Sequence, residues 1–81
     1  MSDDTIHEQI THLVDQEHAL RERRRRGEIS DEKEHEQLRG LEEALDQAWD
    51  LLRQRDARRH AGQDPDGAAV RPADTVEGYL S

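Results

Sequence analysis

Glu17 stands where an apolar residue is expected. It falls inside the stripe Ile6, Ile10, Leu13, Glu17, Leu20, Arg24, whose steps of four and three keep every member on one helical face. A carboxylate in such a seam is costly to bury unless it is paired or hydrogen-bonded. It either fixes helix register, with Arg21 one turn on or the Trp49 indole as its donor, or it meets a ligand. Glu32-x-x-His35 is the second candidate. Di-metal sites in helical bundles combine a Glu on one helix with a Glu-x-x-His on another. Asp15-x-x-His18 repeats the spacing, and Glu8-x-x-x-His12 puts two ligands on one face. Among five His and twenty acids, such spacings also arise by chance. Two arginine runs, Arg21 with Arg23–Arg26 and Arg53, Arg55, Arg58, Arg59, read as complements to helix C-termini. A phosphate contact is their other reading. No nucleophile–base pair, phosphate loop or paired-acid cleft is present.

These residues must ride on two helices. A second stripe, Glu34, Leu38, Leu41, Leu45, Ala48, Leu52, matches the first when run antiparallel. Positions 6, 10, 13, 17, 20 and 24 then face 52, 48, 45, 41, 38 and 34 in one constant register. The fold expected is all-α: an antiparallel, coiled-coil-like helical hairpin over residues 4–61, dimerising into a four-helix bundle. Helix 1 covers about 4–26 with a cap among Asp3 to Thr5, and Gly27 stops it. The turn is 27–30. Ser30 or Asp31 caps helix 2, which covers about 31–61 and stops at Gly62. The expected core is Ile6, Ile10, Leu13, Leu20, Leu38, Leu41, Leu45, Trp49 and Leu52, and Leu45→Ala should cost about 2–5 kcal/mol. The register puts His35 level with about position 23 and Glu17 level with 41, on the order of 9 Å apart along the axis. Glu17, Glu32 and His35 can therefore share a metal only across a dimer.

Residues 62–81 form a tail that opens on the turn cluster Gln63-Asp64-Pro65-Asp66-Gly67. Val76, Tyr79 and Leu80 make it too apolar for plain linker, so it packs on the hairpin or on a partner. Ala44 and Leu51 lie beside the main stripe and widen the face available to it.

Composition narrows the function. The chain has 81 residues, 40% of them charged, and no Phe or Cys. So small and polar a chain buries little apolar surface and gains from self-association. Disulfides and thiolate metal sites are excluded. The net charge of −8 repels nucleic acid and favours basic partners. No run approaches the length of a membrane span, and the acidic N-terminus lacks a signal pattern, which reads as a cytoplasmic protein.

The run Leu13-Val14-Asp15-Gln16-Glu17-His18-Ala19-Leu20-Arg21, then Glu34-His35, Leu41-Glu42 and Leu45-Asp46-Gln47-Ala48-Trp49-Asp50-Leu51-Leu52-Arg53-Gln54-Arg55, resembles a small actinobacterial family, the domain of unknown function numbered 2630. The likeness continues through Gly62-x-Asp64-Pro65 to Val76-Glu77-Gly78-Tyr79, and Trp49–Arg55 is its most specific part. It implies a short cytoplasmic protein whose tail belongs to the domain. It brings no activity, cofactor or functional residue with it.

The function expected is a non-enzymatic interaction or regulatory module, a homodimer without a cofactor, since a two-helix hairpin offers no deep pocket. Its partner-facing candidates are the acidic tip, Glu28, Asp31 and Glu32, and the tail residues Val76, Tyr79 and Leu80. The alternatives are a metal-binding bundle using Glu17, Glu32 and His35, and a regulator that contacts the transcription machinery through its tip.

Overall fold

The computed structural model describes residues 2–80, and the side chains of residues 2–77. Two long helices, α1 (Asp3–Arg25) and α2 (Asp31–His60), pack against each other as a hairpin. A 3-10 turn, Pro65–Gly67, and a short helix α3 (Ala73–Leu80) follow, and both lie on α2. No strand occurs among the described residues. The helices span about 35 and 45 Å at 1.5 Å per residue, within a body of 51 × 25 × 14 Å.

The helix ends follow from local chemistry. The cap of α1 is Ser2, one residue before the expected Asp3–Thr5 window; its hydroxyl accepts from the Thr5 N–H at 3.2 Å. That places Asp3 in the first turn, free to make contacts across the hairpin. Ser30 caps α2 in the same way, accepting from the Lys33 N–H at 3.2 Å. Both C-termini close with one motif. Gly27 and Gly62 take positive φ, 74° and 73°, while Glu28 N–H donates to Arg23 O and Gln63 N–H to Arg58 O. This closure turns the chain out of the helix at each end, and glycine adopts it without steric cost.

The core is concentrated at the open end of the hairpin. Ile6, Ile10, Ala48 and Leu51 form a buried cluster, with Leu45, Leu52 and Ala68 packed around it. Leu20 is buried nearer the tip. Leu13, Leu38, Leu41, Leu45 and Leu52 lie along the seam but are only half-buried, because two helices alone cannot surround a side chain. The tail supplies a third layer, whose 3-10 turn and α3 lie on α2.

Two expectations need correction here. Trp49 is not core: it is 46% exposed, with its indole edge-on to the His7 ring at a centroid distance of 6.3 Å. The tail covers the flank of α2 that carries Gln47, Asp50 and Gln54, and Trp49 projects from the opposite flank. Leu51, set beside the main stripe in the sequence, takes the buried place instead. Val76 is not open to a partner, because its exposure is 0%. The side chains of Tyr79 and Leu80 lie outside the described residues.

Candidate functional site

The most organised chemistry lies where the tail meets α2. Gln47, Asp50 and Gln54 recur at three- and four-residue steps and so share one face of the helix. Gln47 Nε2 donates to the carbonyl of Arg71 at 3.1 Å, and Gln54 Nε2 to the carbonyl of Ala69 at 2.8 Å. Arg55 Nη1 reaches the carbonyl of Pro65 at 3.3 Å. Helix side chains thus supply the donors that an extended segment outside any sheet requires.

Asp50 anchors this contact and is only 1% exposed. Arg71 grips it with two guanidinium nitrogens: Nε donates to Oδ2 at 2.8 Å and Nη2 to Oδ1. Gln54 donates to Oδ2 at 2.9 Å, and Arg53 stands 3.8 Å from Oδ1. The Arg71 bonds, with help from Gln54, outweigh burial and hold the carboxyl below its ordinary range. A two-pronged arginine grip of this kind is geometrically specific as well as strong.

A second cluster closes the base. Arg55, 5% exposed, donates to Asp3 at 2.6 Å and to Asp66 at 2.9 Å. Arg59 donates to the same Asp3 oxygen at 2.7 Å. The cluster ties the start of α1, the end of α2 and the 3-10 turn together. Hydrogen bonds from Arg59 and then Arg55 hold the Asp3 carboxyl down to about 2. Arg55 also lowers Asp66, and Arg24 lowers Asp31.

A pH dependence follows. A carboxyl depressed in the folded chain contributes stability that is complete above its unfolded pKa, about 3.9, and is lost as pH falls through the folded value. The denaturation midpoint should therefore stay level from neutrality to about pH 5 and decline below about pH 4. Asp3→Asn should flatten that acid limb and lower the neutral plateau. Urea melts at stepped pH check both.

The side chains singled out in the sequence are placed as follows. Glu17 is half-buried and accepts from Arg21 Nη2 at 3.3 Å. Glu32 and His35 are exposed on the first turns of α2. No group of three or more His, Cys, Asp or Glu side chains suited to a metal ion occurs among the described residues. At the tip, Glu28 pairs with Arg23 at 3.6 Å and Asp31 with Arg24. Arg25 and Arg26 both meet Glu22. Much of the arginine runs is thus taken up by internal ion pairs. Among the described residues, no helix is long and apolar enough to cross a membrane.

Asp50, Gln47, Gln54 and Arg71 escape the sequence reading, and Arg55 enters it only as a complement to the helix C-terminus. One signal was available: Asp3 and Arg55 obey the same antiparallel register as the leucines, so opposite charges were aligned at the end of the stripe. Nothing local marks Asp50, which looks like any acid on a polar helix face until the tail returns.

The comparisons with known proteins bear on identity. The chain is 59% identical over 70 residues to uncharacterized proteins of Mycobacterium tuberculosis and Mycobacterium bovis, covering 86% of this chain and 80% of theirs. No solved structure matches it. Residues 2–81 match the family described as protein of unknown function (DUF2630); the chain belongs to that family.

Proposed function

We propose that this chain is a non-enzymatic protein–protein interaction or regulatory module that acts as a dimer in a four-helix bundle and presents acidic flanks to a basic partner. The observation that carries this reading is the open flank of the hairpin. Trp49 is exposed there, with Val14 36% exposed on α1, while the tail is spent on the other side. Large aromatic side chains left in water are enriched at interfaces, where they become anchors. The net charge of −8 adds long-range attraction for a basic surface.

Photo-crosslinking from position 49 in living cells tests the reading. Discrete covalent adducts to a protein, this chain or another, are the expected result. No adduct above the level obtained from exposed polar position 63 would overturn it. The reading also expects zinc or iron(II) to leave the melting temperature of metal-free protein unchanged. Tight binding to the native state alone would raise it, and differential scanning fluorimetry detects that.

A further inference from the structure

The flank that carries Trp49 also carries a hollow. His35, Leu38, Arg39 and Glu42 line most of a depression of about 590 Å³ on α2. Glu42 and His35 are one and two heptads before Trp49, so knob and hollow occupy one side of one helix. Their centres are about 15 Å apart along its axis. A knob and a hollow on the same face are what an isologous two-fold contact requires, because each copy must offer the other both halves.

Resting on the interaction reading above, we infer that the occupant of this face is a second copy of the chain, laid antiparallel so that each Trp49 enters the partner's His35–Glu42 hollow. A two-fold axis crossing α2 near position 43 makes the match. It lays α2 against α2 and α1 against α1, with the tip of one hairpin over the base of the other. By the hairpin register Val14 is level with position 44, so it lies near the axis and meets its own mate.

Charge favours the same arrangement. Arg39 lies three or four residues before the axis and Asp46 three after it, so the antiparallel overlay sets Arg39 of each copy beside Asp46 of the other. Arg39 also borders the hollow that receives the indole, a setting for cation–π contact. The two Glu42 side chains fall near the axis between the two Arg39 guanidiniums, which offset their repulsion. On a larger scale, residues 21–34 carry six basic and five acidic side chains, a net of +1, against six and fifteen, a net of −9, in the rest. Head-to-tail overlap places the near-neutral tip over the acidic base, whereas a parallel dimer would set acidic base on acidic base. A face of 51 × 25 Å has room for the roughly 800 Å² per partner of a standard interface.

Sedimentation equilibrium of the full chain, read with the emission of its single tryptophan, tests the proposal. The wild type should be a dimer whose Trp49 emission shifts to the blue as concentration rises. Trp49→Ala, Arg39→Glu and Asp46→Arg should each weaken dimerisation at least about tenfold. The double variant Arg39→Glu/Asp46→Arg should restore it, which a variant damaged in folding would not do. A monomer throughout the micromolar range, a dimer indifferent to all three substitutions, or a failure of the double variant to recover would each overturn the inference. Adducts at position 49 containing a different protein would then leave the interaction reading standing, and no adducts would remove both.

Discussion

Ile6→Ala and Leu51→Ala should each cost about 2–5 kcal/mol, and Leu45→Ala about 1–2 kcal/mol. Ile6 and Leu51 are buried in the cluster at the open end of the hairpin, whereas Leu45 is half-buried at its edge. Truncating a surrounded side chain removes its transfer energy and leaves a cavity the neighbours cannot fill. A half-buried side chain was already partly in water, and its neighbours can close over the gap. Domains of this length have roughly 4–12 kcal/mol in total at 0.05–0.15 kcal/mol per residue. Either large substitution therefore consumes much of the available stability. Urea denaturation at low protein concentration, where self-association contributes least, gives the comparison. Equal losses for the three variants would show that the core extends evenly along the seam, as the sequence alone implies.

That contrast separates what the sequence makes legible from what it does not. Helical hairpin, antiparallel register and the two glycine stops are local and periodic properties. They can be read from leucine spacing and from Gly27 and Gly62, and they agree with the observed elements. The distribution of burial is not periodic. It depends on which flank of α2 the tail selects, and that is decided by contacts 15 to 24 residues apart, such as Gln54 to Ala69 and Gln47 to Arg71. Hydropathy gives Trp49 a place in the core and gives Asp50 a place in solvent. The returning tail reverses both, because Arg71 compensates the aspartate and the segment before α3 covers that side of the helix. The candidate residues Glu17, Glu32 and His35 were chosen by type and spacing. The organised polar chemistry lies instead where distant segments converge.

The tail's hold on α2 should be strongly asymmetric to mutation. Arg71→Ala removes the two-pronged grip from Asp50, a carboxylate that is 1% exposed. Gln54 at 2.9 Å and Arg53 at 3.8 Å remain, but a buried charge stripped of its main partner is poorly compensated. The expected loss is about 2–4 kcal/mol. Asp50→Asn keeps an amide oxygen that can accept from Arg71, whose side chain is already 32% exposed, so about 1 kcal/mol is expected. The pH response should also weaken at this site in Arg71→Ala. In the wild type the Arg71 bonds lower the Asp50 carboxyl against the opposing effect of burial, so its contribution fades as pH falls through the depressed folded value. Without Arg71 the largest lowering influence is gone, and Gln54 and Arg53 alone oppose burial. The wild type therefore loses on acidification a stabilisation that the variant lacks, and the penalty of Arg71→Ala shrinks as pH falls below about 4. Urea melts of the wild type and both variants between neutral pH and about pH 3 test this, with hydrogen exchange of residues 73–77 reporting whether α3 has left α2. Equal losses for the two variants, or a penalty for Arg71→Ala that does not shrink on acidification, would mean that the helix–tail contact holds through its apolar packing and backbone hydrogen bonds rather than through the Asp50–Arg71 pair.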